Sequence, residues 1–243
     1  MRANDNDPFS RVISKLERLG SLDQGDRDAI RALPFSMASA KAHEYLVREG
    51  DVPRQCCVLL TGFACRHKAA SNGGRQIVSF HMAGDILDVQ HLMLPRADHN
   101  VQTITTATYA TVPSATLRQL TRDRPAIGEA LWRDSLIDAS IFRVWVLIVG
   151  RRDAKMRVAH MLCEFATRRE AAGLGSPEQF ELPMTQEQIA DATGLTPVHV
   201  NRMLAQLDRE GVIRRDQRSV EISDWNRMRR IADFDPAYLH AAA

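Results

Sequence analysis

Residues 196–207 carry side chains that could read the bases of double-stranded DNA. At helical spacing one face of this segment is apolar: Val200, Met203, Leu204 and Leu207. The other face carries Val198, His199, Asn201, Arg202 and Ala205. Arginine can grip guanine O6 and N7, asparagine can grip adenine, and valine can touch a thymine methyl group. We therefore predict a recognition helix that enters the major groove.

Local signals mark the boundaries of this helix and of the helix before it. Residues 185–188 read Thr-Gln-Glu-Gln, the form of a capping box that satisfies backbone groups at a helix start. A helix is predicted to begin at Gln186 and to end at Gly194, because glycine accepts the positive φ of a tight turn. Thr196 can cap the next helix, and Pro197 fits its first turn. The sequence therefore predicts a helix-turn-helix.

A pair of short strands is predicted after the recognition helix. Residues 211–215 and 219–222 flank a polar Asp-Gln-Arg turn, which is typical of the wing of a winged helix. Arg218 at this turn could meet a DNA phosphate. The predicted DNA contacts are Thr185, Gln186, Thr196, Val198, His199, Asn201, Arg202 and Arg218. The alternative is a small helical bundle for protein contact, in which Arg202 is a solvated surface charge.

A long helix is predicted over residues 125–149, where apolar residues recur at alternating steps of three and four. This is the pattern of a two-stranded coiled-coil seam. The predicted dimerisation residues are Ile127, Ala130, Ile137, Ile141, Val144 and Ile148, with Asp134 in the same register. Further apolar residues indicate that both faces are covered: Trp132, Leu136, Val146 and Val149. The alternative is that this helix packs only on the β-domain of its own chain. We favour a helix that forms a dimer and also packs on that domain.

A hinge is predicted where the long helix is interrupted, at Gly150, Arg151, Arg152 and Asp153. Asp153 precedes a new apolar-periodic stretch and so marks the start of the next helix. Three parts are therefore predicted. They are a β-domain with N-terminal helices over residues 1–124, a long helix over 125–150, and a winged helix-turn-helix over 151–243.

The segment from His43 to Pro113 has the pattern of a β-domain. It contains alternating or β-branched stretches, and Gly50, Gly62 and Gly84 belong to turn signals that recur about every 10 to 12 residues. Residues 9–33 have helical spacing instead. The predicted fold class is α+β, with a β-sandwich or roll, a long helix and a C-terminal winged helix.

Composition does not by itself identify a partner. The net charge is +2, and the chain from Arg151 onward holds fourteen Lys and Arg against fourteen Asp and Glu, a balance of zero. The prediction of DNA binding therefore depends on the motif. No secretory signal or membrane-spanning run is evident, so a cytoplasmic protein is expected. The four cysteines lack a CxxC pair and are expected to be free thiols.

The sequence carries no catalytic pattern. The paired histidines and following glutamate of metal-binding cupin domains do not occur between residues 43 and 113. No nucleophile elbow, phosphate loop or zinc-protease motif occurs elsewhere. We therefore expect a regulator rather than an enzyme, with no catalytic or metal site.

The chain resembles the Crp/Fnr family of bacterial transcription regulators over nearly its whole length. Residues 185–213, TQEQIADATGLTPVHVNRMLAQLDREGVI, match the helix-turn-helix pattern of that family, with Arg202 at its recognition arginine. Gly50, Gly62 and Gly84 fall where its β-roll has turn glycines. The resemblance implies a double-stranded β-roll of the cyclic-nucleotide-binding type (a jelly roll) and a homodimer on a palindromic operator. An activator of this family would also contact RNA polymerase.

The β-roll departs from the cyclic-nucleotide-binding members. Their Gly-Glu pair corresponds to residues 84–89 (GDILDV), and their Arg-Ser pair corresponds to residues 98–100 (DHN). Acidic residues near a phosphate site would repel the ligand. Tight binding of cyclic AMP is therefore not expected. The candidate effector pocket consists of Gly84, Asp85, Asp88, Val89, Asp98, His99 and Asn100.

No bound cofactor is predicted. An iron-sulfur sensor needs several thiolate ligands, commonly near the N-terminus, and no cysteine precedes Cys56. Haem would need an accessible ligand; His81, His91 and His99 lie in the β-roll, but no haem motif accompanies them. The alternatives are a haem- or redox-sensing regulator of the same family and a β-roll module that acts on a protein partner.

The recognition helix also departs from the best-known members. An early glutamate of theirs corresponds to Val198, with His199 and Asn201 nearby, so a different half-site is expected. In the predicted mechanism, the β-roll receives a signal, and the hinge sets the spacing of the two recognition helices. An effector then acts only by favouring one spacing over the other.

Overall fold

The computed structural model describes residues 7–240, and its elements confirm the α+β class. The helices are α1 (Ser10–Leu19), α2 (Gln24–Arg31), α3 (Ser114–Asp123), α4 (Pro125–Arg151), α5 (Ala154–Ala171), α6 (Gln186–Thr193), α7 (Pro197–Arg209) and α8 (Trp225–Ala232). The strands are β1 (Ser36–Ala40), β2 (Tyr45–Val47), β3 (Gln55–Thr61), β4 (Phe63–Ala69), β5 (Arg75–Met82), β6 (Asn100–Thr103), β7 (Ala107–Pro113), β8 (Gln179–Glu181), β9 (Ile213–Asp216) and β10 (Ser219–Ile222). Short 3-10 helices span Val89–Leu92 and Pro236–Leu239. None of the described helices has the length and apolar character needed to cross a membrane.

The described chain forms two compact units. The first unit contains the residues up to His67 together with Phe80–Ala139. The second contains Lys68–Ser79 and Ser140–His240. The first half of α4 therefore belongs to the first unit and the second half to the second unit. The tip of the hairpin formed by β4 and β5 also belongs to the second unit.

Two antiparallel sheets form the β-roll of the first unit, in the strand orders β1-β7-β3 and β2-β6-β4-β5. Alternate residues of β3 face different cores. Cys56 and Val58 pack among residues of α1 to α4, whereas Cys57 and Leu59 pack with strand residues such as Val101. This is the period of two that a strand shows when both of its faces are covered.

Strand β1 lies outside the predicted β-region, which begins at His43. Its sequence is Ser-Met-Ala-Ser-Ala, and most of its side chains are exposed, so it carries no apolar alternation. It pairs with β7 over five residues, from Ser36 opposite Thr111 to Ala40 opposite Ala107. The backbone hydrogen bonds of β7, rather than a side-chain pattern, recruit this strand.

The turn between β3 and β4 requires glycine at position 62. Gly62 has a φ of +80°, and a Cβ at this position would clash with the carbonyl oxygen of Thr106. A backbone oxygen cannot yield as a flexible side chain can. Glycine is needed here both for its conformational freedom and for the close approach of the two segments.

Helix α5 forms the core of the second unit. Val158, Ala159, Leu162, Cys163 and Ala166 are all fully buried along its length. The predicted wing is present but has three strands, in the order β8-β10-β9, rather than the two that were predicted. Strand β8 was missed because it is only three residues long and follows a loop rich in glycine.

A largely buried ion triad joins α1 to the β-roll and to α4. The Nζ atom of Lys15 lies 2.9 Å from a carboxylate oxygen of Asp85 and 2.8 Å from one of Asp134. Burial alone would lower the pKa of Lys15, but the two carboxylates raise it above its ordinary value. Asp134, which falls in the predicted coiled-coil seam, is therefore turned toward its own chain.

Replacing Lys15 by methionine is expected to destabilise the first unit by roughly 2–4 kcal/mol at neutral pH, because two partly desolvated carboxylates lose their counter-charge. The free energy of unfolding that the variant loses should become smaller as the pH falls toward about 4. A carboxyl group whose pKa is raised in the folded state destabilises that state only at pH values above its unfolded-state pKa. Urea unfolding at both pH values measures the two effects. Lys41→Met, at an exposed position, is the control; equal losses in the two variants would contradict the role of the triad.

Candidate nucleic-acid interface

The helix-turn-helix has the capping that the sequence predicts. The hydroxyl of Thr185 accepts a hydrogen bond from the backbone N–H of Gln188 at 3.2 Å, and the Gln188 side chain accepts one from the backbone N–H of Thr185 at 2.9 Å. Gly194 ends α6 in the left-handed conformation, with a φ of +65°. Thr196 caps α7 by accepting from the N–H of His199 at 3.2 Å. Both predicted helix starts are thus confirmed.

Helix α7 has one buried and one exposed face. Val200, Leu204 and Leu207 are at most 1% exposed. The exposed face carries Val198, Asn201, Arg202, Ala205, Asp208 and Arg209, and His199 at its edge is half-buried. A face that combines a guanidinium, an amide and an aliphatic group on a capped helix has the donors and shape that base edges in the major groove accept.

The side chain of Asn201 is oriented by the first helix of the motif. Gln186, in the first turn of α6, donates a hydrogen bond from its side-chain nitrogen to Oδ1 of Asn201 at 3.2 Å. The amide nitrogen of Asn201 is thereby directed as a donor away from Gln186. Gln186 and Asn201 were both predicted as DNA contacts, but the sequence did not reveal the hydrogen bond between them.

The wing places a basic residue at an exposed turn. Strands β9 and β10 pair from Ile213 opposite Ile222 to Asp216 opposite Ser219, and Gln217 in the connecting turn has a φ of +51°. Arg218 follows it and is exposed. The wing can therefore present a guanidinium to a phosphate without disturbing the sheet.

Helix α6 is held at its C-terminal end by three polar contacts within the second unit. Arg75 of the β4–β5 hairpin tip pairs with Asp191 at 2.7 Å, and Gln76 donates to the carbonyl of Ala192 at 3.0 Å. Arg157 of α5 donates to the carbonyl of Thr193 at 3.2 Å. The last carbonyl groups of a helix lack intrahelical partners. Gln76 and Arg157 satisfy two of them here, and the ion pair between Arg75 and Asp191 adds a side-chain contact at the same end of α6.

The seam of α4 that was predicted for dimerisation packs mostly within its own chain, which agrees with the internal packing that was expected beside dimerisation. Four of the six predicted dimerisation residues are buried within one chain: Ile127, Ala130, Ile141 and Ile148. Ile137 and Val144 are half-buried. The exposed large apolar residues of α4 lie on the opposite face: Trp132 at 68%, Leu136 at 54%, Val146 at 73% and Leu147 at 48%. The regular spacing of three and four marks the face that is buried, but it does not tell whether the chain itself or a second copy buries that face.

The hinge is shorter than predicted. Gly150 and Arg151 belong to the last turn of α4, and the helix breaks only at Arg152 and Asp153. Asp153 caps α5 by accepting from the backbone N–H of Met156 at 2.9 Å. A glycine inside a helix costs only about 1 kcal/mol, which is too little to end a helix of this length.

The first part of the candidate effector pocket is packed into the β-roll. Gly84 is buried in a turn, and Asp85 belongs to the ion triad. Asp88 is fully buried and accepts a hydrogen bond from the N–H of Cys57 at 2.8 Å. Val89 begins the 3-10 helix and is half-buried. Both carboxylates therefore make structural contacts inside the roll.

The second part of that pocket meets the 3-10 helix. The ring of His99 stacks on the ring of His91, with their centroids 5.7 Å apart, and lies 3.0 Å from the side chain of Gln90. Asp98 lies 2.6 Å from its other nitrogen. Burial lowers the pKa of His99 to about 4, so its ring is neutral near pH 7. Asn100 accepts a backbone hydrogen bond within the roll at 3.0 Å.

The described residues include no group of three or more histidine, cysteine or acidic side chains placed to hold a metal ion. All four cysteines are buried, and burial raises the pKa of Cys56 and Cys163 to about 12. These thiols are therefore protonated at neutral pH and are poor thiolate ligands. The histidines considered as haem ligands, His81, His91 and His99, are at most 6% exposed.

Two domain families match this chain. A Crp-like helix-turn-helix domain matches residues 156–231, and a cyclic nucleotide-binding domain matches residues 38–124. The first range contains the capped helices, the exposed face of α7 and strands β9 and β10 of the wing. The second contains strands β2 to β7.

Several transcription regulators are similar over most of their length. The transcriptional activator protein FnrL of Cereibacter sphaeroides is 27% identical over 201 residues, which cover 81% of this chain and 80% of FnrL. The nitrogen fixation regulation protein FixK of Rhizobium meliloti is 27% identical over 192 residues, which cover 78% of this chain and 83% of FixK. The solved structure of FixK2 from Bradyrhizobium japonicum has a TM-score of 0.75 at 25% identity, covering 82% of this chain and 98% of that one.

Replacing Gly194 by alanine is expected to destabilise the second unit by roughly 2–3 kcal/mol, because the left-handed backbone is strained for alanine and the new Cβ would lie 3.2 Å from Val149. Gly211→Ala is the matched control. Gly211 has a similar φ of +68°, but a Cβ added there would have no atom within 4 Å, so only the backbone cost of about 1 kcal/mol should appear. Urea unfolding compares the two variants. Equal losses would show that the contact with Val149 contributes nothing.

Proposed function

Because this chain belongs to the Crp/Fnr family of transcription regulators, we propose that it acts as a homodimer on a palindromic operator. The protein is a regulator and not an enzyme. The observation that carries the proposal is the exposed face of α7, a capped helix that presents Val198, Asn201 and Arg202 outward. Two such helices, about 34–36 Å apart in a dimer, would enter successive major grooves on one side of the duplex.

Each residue of this face has a proposed role in reading DNA. Arg202 donates two hydrogen bonds to a guanine, and Val198 contacts a thymine methyl group. Asn201, oriented by Gln186, donates its amide to adenine N7. His199, half-buried at the edge of the face, contacts the base or sugar nearest to it. These roles predict a half-site that contains G, A and T. No cytosine in it would donate its N4 amino group to a carboxylate of α7.

The remaining predicted contacts would fix the position of the protein on the duplex. Thr185, Gln186 and Thr196 lie at the N-terminal ends of α6 and α7, where backbone N–H groups and the helix dipole favour a phosphate. Arg218 at the tip of the wing would contact a phosphate further along. These contacts carry little sequence information and supply the salt-dependent part of the affinity.

The exposed apolar residues of α4 are proposed to meet the second copy: Trp132 and Leu136 in the first unit, and Val146 and Leu147 in the second unit. We name these four residues the exposed stripe of α4. Four large apolar side chains on one face of a single helix form a surface that water solvates poorly. In a two-fold dimer the same stripe on both copies would be buried. The buried residues of the predicted seam then support the stripe from within each protomer.

The β-roll is proposed to receive a signal, but not through a cyclic nucleotide. Asp85 and Asp88 lie in the segment that corresponds to the Gly-Glu pair of cyclic-nucleotide-binding members, and each carboxylate already makes contacts within the roll. A redox signal through Cys56, Cys57 or Cys163 is also disfavoured, since burial raises the pKa of each of these thiols.

Replacing Arg202 by alanine is expected to weaken specific DNA binding by roughly 1–3 kcal/mol, because one bidentate contact with guanine is lost. The probe is a duplex recovered by selection from random DNA with the natural protein, and fluorescence anisotropy at fixed salt gives the affinity. Arg209→Ala is the control, because this substitution removes the same charge at an exposed position at the far end of α7. If Arg202→Ala bound the selected duplex as tightly as Arg209→Ala, the assignment of the reading face would be wrong.

Introducing glutamate at both Trp132 and Val146 is expected to raise the dimer dissociation constant at least about 100-fold, since it would bury charges in an apolar contact. Sedimentation equilibrium measures the constant, and circular dichroism checks that each protomer remains folded. Val52→Glu is the control, because Val52 is a comparably exposed apolar residue, 57% exposed, away from α4. A double variant that stayed dimeric while folded would refute this choice of surface.

A further inference from the structure

A buried polar network surrounds the break between α4 and α5. It contains Trp145 of α4, Arg152 of the hinge, His160 and Glu164 of α5, and Tyr238 near the C-terminal end of the described chain. Trp145, His160 and Glu164 are at most 6% exposed. All five residues belong to the second unit. None of them is among the predicted DNA contacts, so DNA reading does not explain the network.

The hydrogen bonds of this network have one consistent direction. Nδ1 of His160 lies 2.6 Å from the guanidinium of Arg152, which can only donate, and 3.3 Å from the carbonyl oxygen of Ala232, which can only accept. The much shorter contact with Arg152 makes this nitrogen the acceptor. The other nitrogen of His160 therefore carries the proton and donates to the hydroxyl oxygen of Tyr238 at 2.9 Å. That hydroxyl donates to Glu164 at 2.6 Å. These hydrogen bonds therefore run from Arg152 through His160 and Tyr238 to Glu164, and we name this series the relay.

The ends of this relay are also fixed. Glu164 accepts a second hydrogen bond from the indole nitrogen of Trp145, at 3.0 Å from its nearer oxygen. Burial, and next the charge of Arg152, lowers the pKa of His160 to about 4, so its ring is neutral as the relay requires. Burial raises the pKa of Glu164, and the guanidinium of Arg168 at 3.7 Å opposes this shift.

The C-terminal segment also holds the hinge from its other side. Arg152 donates to the carboxylate of Asp233 at 2.8 Å and to the carbonyl of Ala232 at 3.2 Å. Asp233 ends α8 in the left-handed conformation, with a φ of +44°. Phe234 packs edge-on against the ring of His160, with their centroids 5.1 Å apart. Residues 233–239, which we name the C-terminal strap, therefore contact both the hinge and α5.

We propose that the C-terminal strap fixes the angle between α4 and α5 and is thereby required for both recognition helices of a dimer to engage a palindrome together. This inference rests on the proposed function. Its physical basis is that the polar partners of Arg152 and Glu164 lie on α4, α5 and the strap, so a change of the angle would separate them. A different angle would leave a buried carboxylate or imidazole without its partner, which is unfavourable. Tyr238 and Asp233 act through the hinge and are positioning residues.

Simultaneous engagement has a measurable consequence. When two linked modules bind two sites, the second contact is intramolecular and raises the overall affinity by roughly 10²–10⁴-fold, but only if the geometry permits both contacts. A change of hinge angle should therefore reduce this gain and leave binding to one half-site unchanged. Damage to the reading face or to folding would reduce both affinities together.

The experiment compares two duplexes: the selected palindrome and the same duplex with one half-site scrambled. Tyr238→Phe removes the hydroxyl of the relay, and Asp233→Asn removes a carboxylate while asparagine still tolerates the left-handed backbone. Both variants are expected to lose at least about 10-fold of the palindrome-to-half-site affinity ratio and to keep half-site affinity within about twofold. They should also tolerate palindromes lengthened by one base pair better than the natural protein does. The controls are Tyr109→Phe in the β-roll and Asp224→Asn, where asparagine preserves the cap of α8.

A second measurement on the free protein keeps the inference separate from the proposed function. Amide hydrogen exchange over residues 148–157 is expected to be at least about 10-fold faster in Tyr238→Phe than in the natural protein, with exchange in the β-roll unchanged. Unchanged exchange, or an unchanged affinity ratio with a natural protein that prefers palindromes, would overturn the inference. A parallel loss of both affinities would overturn it too. If the natural protein itself showed no preference for the palindrome, the proposed function would fail, and the exchange rates would still decide whether the strap holds the hinge.

Discussion

Helix α4 is apolar on two faces, and the rest of the structure depends on which of them the chain buries on itself. Ile127 and Ala130 pack into the core beneath the β-roll, and Ile141 and Ile148 are buried further along the helix. Trp132 and Val146 then remain exposed on the opposite face. Because apolar burial is not directional, this choice had to be made by neighbouring elements rather than by the helix itself. The outer face is what the proposed dimer would use.

The helix-turn-helix could be predicted from the sequence because its determinants lie within a few residues of each other. The capping box of Thr185 and Gln188 and the left-handed Gly194 each depend on backbone groups no more than four positions away. Such local hydrogen bonds form the same way in any tertiary setting. The exposed face of α7 could also be predicted, because the apolar residues of that helix pack toward α5 and α6 and leave the polar face outside.

The features that the sequence did not reveal depend on distant parts of the chain. The inner face of the first half of α4 packs against α1 and the β-roll, and an apolar spacing of three and four does not tell whether such a face is buried within one chain or between two. Strand β1 forms because β7 offers it a backbone edge, and strand β8 forms because β10 does. The relay from Arg152 to Glu164 requires Tyr238, which is 74 residues from Glu164 in the chain. No local pattern could have indicated that contact.

Helix α4 is positioned by two kinds of interaction: directional ion pairs and hydrogen bonds, and non-directional apolar packing. In its first half, Asp134 pairs with Lys15, and after its end Arg152 pairs with Asp233 and donates to the neutral ring of His160. Hydrogen-bonded ion pairs tolerate little change of angle, whereas apolar side chains pack acceptably in several arrangements. The ion pairs therefore define how each half of α4 sits within its own unit. The apolar stripe that remains exposed can contribute affinity for a second copy without altering that internal geometry, because none of its residues takes part in these polar contacts.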